Sequence, residues 1–406
     1  MAKRANIKKT AGNESERSPA KAKPLSKAAK TKPQPKAAKP KPQSKAAKPQ
    51  PQSKAAKRPP TTAPTIAEMQ GKPLNLNRSL HAAKATKQDE FYTQLSDIEK
   101  EVRHYKKHFK NKTVLCNCDD PKVSNFFHYF SHNFEKLKLK KLITTCYRNC
   151  DVDLFSTHKA EKGAYLEYNG DKNNNRVPDP DEIGIHKLKG DGDFRSEECV
   201  ELLKQADIVV TNPPFSLFRE YVEQLVRYKK KFLVIGTQNA VHYQETFKLL
   251  KENQMWLGYG FDAGNAYFKT PAGREFASGV FDPATGLVKF RNVAWFTNME
   301  HDKRHEELIL VAKYTPEAYP KYDNYDAIEV GRIKDIPADY YGLMGVPDTF
   351  LDKHNPDQFE LIGIPFGNLG KALGVTKNHR GRTDIAITKD GKSRCPYSRI
   401  VIKQKS

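Results

Sequence analysis

The chain alternates between short apolar runs and longer stretches in which apolar positions recur at helical spacing. Thr113–Cys118 (TVLCNC), Leu142–Cys146, Asp207–Thr211 (DIVVT) and Phe232–Ile235 (FLVI) are runs of the first kind, and each predicts a strand. Pro121 to about Leu137 predicts a helix with Asp120 as N-cap and Pro121 as its first residue, the order favoured at a helix start. Ser196–Gln205 and Tyr243–Glu252 predict two more. From Ser216 onward, Leu217, Phe218, Tyr221, Val222, Leu225 and Val226 fall on one helical face. Strand and helix alternating at this spacing predict an α/β fold, an open and mostly parallel sheet covered on both faces. Order is expected from near Asp89. Beyond Trp295 the periodicity weakens, and Pro, Asp and Tyr are frequent through residue 360, which predicts a second, more irregular region.

Composition changes the picture at the two ends. The formal net charge is +22, and residues 1–65 alone carry 18 basic and two acidic side chains. Residues 371–406 carry ten basic and two acidic, so the middle of the chain is close to neutral. Within the basic N-terminus, Lys-Ala-Ala-Lys begins at Lys27, Lys36, Lys45 and Lys54, separated by Pro, Gln and Ser. Recurrent proline forbids a continuous helix, and there is almost nothing apolar to bury, so a disordered, extended tail is expected. Its charge fits a polyanion partner; a purely solubilising role is the other account. No run of 18 apolar residues exists, Met1 is followed by Lys and Ala rather than an apolar segment, and six cysteines in 406 residues make no disulfide scaffold. A cytoplasmic protein with no membrane span is expected.

Asn212-Pro213-Pro214-Phe215 carries the chemistry. It lies between the strand DIVVT and a helix, where an open α/β sheet binds its ligands. Two prolines make a stiff loop that offers carbonyls without competing N–H donors. Asn adds a side-chain acceptor and Phe a flat apolar face, so the four residues make a slot for a planar group bearing an exocyclic amine. An adenine N6 is a weak nucleophile because its lone pair is delocalised; two carbonyls accepting its hydrogens favour the pyramidal, reactive form, and no strong base is needed. A helix-initiating Pro-Pro turn over a core Phe is the competing account.

The surrounding text is similar to a known family. DEFYTQ (Asp89–Gln94), CNCDDPKVSNFF (Cys116–Phe127), GDGDFRS (Gly190–Ser196), DIVVTNPPFSLF (Asp207–Phe218), YPKYDNYDAI (Tyr319–Ile328), MGVP (Met344–Pro347) and CPYSRIVIK (Cys395–Lys403) resemble the EcoRI-type adenine-specific DNA methyltransferases. The resemblance implies a Rossmann-like S-adenosylmethionine-dependent methyltransferase sheet, N6 methylation of an adenine flipped out of double-stranded DNA, and a monomer. A companion restriction endonuclease would act on the same site without direct binding. It divides the chain into a tail (1–85), a catalytic domain (86–300) and a DNA target-recognition region (301–406). By the same resemblance, Asn212 and the Pro213 carbonyl hold the target amine, Pro214 completes the box, and Phe215 stacks on the base. Phe91, Tyr92 and Thr93 match the box that closes over the cofactor's methionine end, and Asp193 and Phe194 the pair beside its adenine. Cys116, Asn117 and Asp119 lie in the loop where the cofactor is expected. That loop lacks a Gly-x-Gly, and the acid usual at the end of the second strand is replaced by TTCYRN (Thr144–Asn149).

Lys377, Asn378, Arg380 and Arg382 are the candidate DNA contacts, since Arg can read guanine and Asn adenine in a bidentate manner; phosphate contact alone would need the same charges. Cys116, Cys118, Cys146 and Cys150 lack structural zinc spacing, and no metal is expected. Asp171, Asn173, Asn175 and Glu182 mimic a calcium loop, but Arg176 stands where glycine is required, so a polar hairpin turn is expected. The aromatics Tyr319, Tyr322, Tyr325, Tyr340, Tyr341 and Phe350 read as packing between elements. An rRNA guanine-N2 methyltransferase and a non-catalytic nucleic-acid binder are the alternatives.

Overall fold

The computed structural model describes residues 91–118, 124–146, 163–175, 178–179, 181–269 and 280–406. The expected tail over 1–85, Asp89, the helix start at Asp120–Pro121, Cys150 and Arg176 lie outside them. Four parallel strands form the centre: β2 (Thr113–Cys116), β3 (Lys141–Cys146), β6 (Ile208–Thr211) and β7 (Lys231–Thr237). Their apolar runs are continuous because both faces are covered. Val114, Ile208, Val210, Leu233 and Ile235 point into one apolar cluster, with Ile98 and Val102 of the helix Leu95–Val102 and Phe126 and Phe130 of the helix Asn125–His132. The alternate residues Leu115, Val209, Phe232 and Val234 point into another, with Leu202 and Leu203 of the helix Glu197–Gln205, Tyr221 and Leu225 of the helix Phe218–Arg227, and Phe247 of the helix Gln244–Lys251.

The edges depart from a mostly parallel sheet. On one side β4 (Ala164–Tyr168) and β5 (Ile183–Lys187) form an antiparallel hairpin against β3; on the other, β12 (Val293–Thr297) runs antiparallel between β7 and β8 (Trp256–Leu257). The order is β5-β4-β3-β2-β6-β7-β12-β8. From β2 the chain moves outward to β3, and later returns to the other side of β2 as β6. The crevice above β2 and β6 is therefore a topological switch point, where ligands of open α/β sheets sit.

A second sheet, β1 (Tyr92–Thr93), β9 (Ala266–Lys269), β11 (Leu287–Phe290) and β10 (Phe281–Asp282), is antiparallel. The C-terminal part is more regular than its sequence implies. It holds a four-stranded sheet, β13 (Ile328–Glu329), β14 (Leu343–Pro347), β18 (Arg399–Gln404) and β15 (Phe359–Gly363), and a ribbon of β16 (Ile387–Lys389) with β17 (Lys392–Arg394). Met344, Val346, Ile400 and Ile402 of that sheet join the second apolar cluster. Tyr319, Tyr322 and Phe350 are buried, whereas Tyr341 is exposed.

Two expected helices are built differently. The stretch to Leu137 is broken at Asn133 into the helices Asn125–His132 and Phe134–Leu137. After the Pro-Pro pair, a 3-10 turn over Phe215–Leu217, closed by the Leu217 N–H on the Pro214 carbonyl at 2.9 Å, precedes the helix at Phe218. Phe218 seats on β7 where Gly236 leaves room: a Cβ there would lie 2.3 Å from the ring. Close contact with a bare stretch of β7 thus fixes the height of the segment that carries Asn212.

Candidate active site

Parallel β2 and β6 put the segments that follow them at one end of the sheet, and hydrogen bonds join them. The Thr211 hydroxyl donates to the Asn117 backbone carbonyl, and the Tyr221 hydroxyl donates to the Asn117 side-chain carbonyl. Both Asn117 and Tyr221 are buried, and burial raises the Tyr221 phenol well above its ordinary value, so it stays a donor. Cys118 takes φ +78°, a left-handed conformation that costs a non-glycine residue about 1–2 kcal/mol. Cys116 is buried on β2 among apolar side chains, and Asp119 lies outside the described residues.

The segment Phe91–Thr93 ties the loop after β6 to the start of the helix Asn125–His132. The Phe91 backbone carbonyl accepts the Asn212 Nδ2 amide at 2.6 Å, and the Thr93 carbonyl accepts Asn125 Nδ2 at 2.6 Å. Two polar atoms at this junction are buried without a hydrogen-bond partner: Asn212 Oδ1 and Thr93 Oγ1. Leaving such a group unmet costs about 1–3 kcal/mol, so native proteins keep few. The Phe91 ring lies 6.0 Å from that of Phe215, which is half-buried, and packs edge-on against Phe290 at 4.7 Å. Pro213 is buried, and no donor among the described residues reaches its carbonyl. Tyr92 pairs with Lys269 and Thr93 with Phe268 in the β1–β9 ladder.

Behind β1, the buried Glu101 carboxylate accepts the N–H groups of Tyr259 and Gly260 at 2.8 and 2.9 Å and the Tyr105 hydroxyl at 2.9 Å. It thereby fixes the turn leading into β9, the partner of β1. Burial pushes Glu101 up to about 7, against the pull of those three donors.

Asp193 and Phe194 lie beside the same crevice, joined to it by Tyr221. The Phe194 ring meets Tyr221 edge-on at 5.1 Å, and its carbonyl accepts Gln224 Nε2 at 3.0 Å. The Asp193 carboxylate is held by Arg195, through Nε at 2.9 Å and Nη2 at 2.7 Å, while Arg195 Nη1 reaches Glu220 at 3.0 Å. Sequence reasoning does not single out Arg195 or Tyr221. Their only signals are an Arg two residues after the Asp, and a Tyr whose hydroxyl needs a partner on an otherwise apolar face.

The basic loop is also organised from within. Asn378 donates to the Asp384 carbonyl at 3.0 Å and to Cys395 Sγ at 3.3 Å, while its Oδ1 accepts the N–H groups of Arg380 at 2.8 Å and Arg382 at 3.2 Å. Asn378 therefore shapes the loop, and Lys377, Arg380 and Arg382 project from it exposed. The stretch that mimics a calcium loop includes the turn between β4 and β5. In it the buried Glu182 carboxylate accepts the N–H of Lys172 at 2.6 Å and of Asn173 at 3.2 Å. Among the described residues, no group of three His, Cys, Asp or Glu side chains could hold a metal, and no helix is long and apolar enough to cross a membrane.

The crevice at the switch point thus holds an Asn-Pro-Pro-Phe loop with a buried, unmet amide oxygen, an acceptor open to an amino group. The family model for the EcoRI adenine-specific methyltransferase matches residues 79–405, and the chain belongs to that family. It is an adenine-specific DNA methyltransferase. It is 47% identical over 334 residues to the type II methyltransferase M.EcoRI of Escherichia coli, covering 81% of this chain and 97% of that one. The type II methyltransferases M.MgeORF184P of Mycoplasma genitalium (39% over 340 residues) and M.MpnI of Mycoplasma pneumoniae (38% over 339) are covered over 97% of their length by 79% and 80% of this chain. No solved structure matches it.

Proposed function

We propose that this protein methylates N6 of an adenine flipped out of duplex DNA, using S-adenosylmethionine, with Asn212 and Pro213 holding the amine and Phe215 stacking on the base. The observation that carries the assignment is the Asn212 side chain: buried, its nitrogen committed to Phe91, its oxygen unmet. An exocyclic amine supplies what that oxygen lacks. The Pro213 carbonyl takes the second N–H, which aims the N6 lone pair out of the ring plane. No side chain with a basic pKa is required, because the proton leaves only after the nitrogen has become cationic.

The residues present fit the cofactor. The Thr93 hydroxyl, two residues from the carbonyl that holds Asn212, is buried and unmet, and Asn117 after β2 is tied to Thr211 and Tyr221. When bound, S-adenosylmethionine supplies an electrophilic methyl group. Thr93 offers its hydroxyl at the methionine end, Asn117 lines the floor, and Asp193 and Phe194 flank the adenine end. Asp193 does so already ion-paired to Arg195, so its carboxylate shares its lone pairs rather than waiting free. The strand order, with its switch between β2 and β6, supports a Rossmann-like sheet.

Residues 301–406 form the target-recognition region in this reading, with Lys377, Arg380 and Arg382 against DNA and Asn378 as the loop's internal brace. The enzyme acts as a cytoplasmic monomer, and any companion endonuclease shares only its recognition site. Mapping modified bases in DNA from cells expressing the protein tests the assignment. N6-methyladenine at one short sequence is the expected result; unmodified DNA alongside newly methylated guanine in rRNA would replace it with the RNA reading.

A further inference from the structure

Tyr397 is 88% exposed, more than any other large apolar side chain among the described residues, yet its backbone is tightly held. Arg399 Nη1 donates to the Tyr397 carbonyl at 2.7 Å, and Arg399 is itself paired through Nη2 with Glu329 at 2.6 Å. The next residue, Ser398, bonds through its hydroxyl to His242 Nε2 at 2.9 Å. Two residues earlier, Cys395 Sγ accepts the Asn378 amide. Packing does not account for an aromatic ring displayed in water on so firm a base.

Its two anchors identify the surroundings. His242 ends the turn Gln238–His242 that follows β7, beside β6 and the catalytic loop. Arg219, from the helix after that loop, lies 4.9 Å over the ring of Tyr243. Asn378 is the brace of the basic loop. Tyr397 therefore stands between the rim that receives the target base and the cations that face phosphates. Arg380, Arg382, Lys392 and Arg394 are exposed there, whereas Arg399 is spent on Glu329.

We propose that Tyr397 stacks on the DNA bases beside the target adenine and holds open the gap left when that adenine swings out. Extrusion strips the neighbouring bases of a stacking partner, and an aromatic ring restores it without reading sequence. The exposed cations beside it bind the backbone that frames the gap. The inference rests on the base-flipping reading above.

Tyr397→Ala and Tyr397→Phe are compared with the unaltered enzyme on two duplexes, one fully paired and one with an abasic position opposite the target adenine. Tyr397→Ala should lower kcat/KM on the paired duplex by about tenfold and recover to within about threefold where no pairing has to be broken, with Tyr397→Phe close to the original throughout. An unchanged Tyr397→Ala, a loss shared by Tyr397→Phe, or a loss that persists opposite the abasic position would overturn the proposal. Because the side chain stands almost wholly in solvent, thermal unfolding should be unaltered. Placing 2-aminopurine at the target separates the two readings. No brightening with the unaltered enzyme removes base flipping itself; equal brightening with and without the ring removes only Tyr397.

Discussion

The carbonyl of Phe91 accepts the amide of Asn212 at 2.6 Å, a bond between residues 121 positions apart, and it decides which way round that amide lies. With its nitrogen committed, Asn212 presents its oxygen, buried and unmet. The segment with the Phe-Tyr-Thr box thus orients the Asn212 amide through its backbone.

Asn212→Ala should lower single-turnover methylation of duplex DNA by about 100-fold or more, the scale on which a preorganised transition-state hydrogen bond acts (about 2.7–4 kcal/mol). Asn212→Asp should do little better, since a carboxylate cannot donate to the Phe91 carbonyl and is repelled by it. A loss below tenfold for the alanine variant would take Asn212 out of this role.

Thr93→Val replaces an unmet buried hydroxyl by a methyl of the same shape. Stability should hold or rise, by up to about 1–3 kcal/mol, because an unsatisfied polar atom is removed. Cofactor affinity should fall by about tenfold if the hydroxyl meets the methionine end, as a lost hydrogen bond to a charged group is worth about 1.5–3 kcal/mol. Calorimetric titration with S-adenosylhomocysteine and a thermal melt separate the two effects; unchanged affinity would assign the hydroxyl no ligand.

Burial lowers His301 to about 4 and His354 to about 4. An unfolded chain takes up these protons near 6.5 while the folded one does not, so their contribution is lost as pH falls from about 6.5 towards 4, by about 1.4 kcal/mol per pH unit for each imidazole. Glu101, raised to about 7, works in the opposite sense: its proton stays on in the folded state, and that contribution fades as pH rises from about 4.5 to about 7. Urea unfolding between pH 4.5 and 7 should show a net acid limb that flattens in His301→Gln and steepens in Glu101→Gln. An identical slope in all three would contradict the assignment.

Deleting residues 1–65 removes 18 basic side chains from a segment with no aromatic residue that could stack on bases. The truncated enzyme should methylate the same site, bind non-cognate duplex more weakly, and show a flatter dependence of log affinity on log salt, by about 0.9 for each phosphate that the tail neutralises. Equal slopes for the two chains would leave the tail a solubilising role.

The four central strands were legible because each is buried on both faces, so residues such as Val209 and Val210 are apolar regardless of which way they point. The flanking hairpin was not. Tyr165 and His186 stack across it at 4.6 Å, and Glu167, Gly184, His186 and Lys187 interrupt its two strands, so neither forms an apolar run. β14 hides Gly345 and Pro347 within five residues, and its main partner β18 is more than 50 positions away. Asn212, Pro213 and Phe215 could be named from local sequence alone, because a strand, two prolines and a helix determine where they project. The pairing of Asn117 with Tyr221, 104 positions apart, depends on which side chains meet after folding, which spacing along the chain does not encode.

Tyr221 touches Asn117 with its hydroxyl and Phe194 with the edge of its ring, from a helix whose first residue is wedged against Gly236. The two sides of the crevice therefore have a common pivot. One buried side chain thus braces the segment after β2 and the segment carrying Phe194 at once. Tyr221→Phe would cut the link to Asn117 and leave the contact with Phe194 in place.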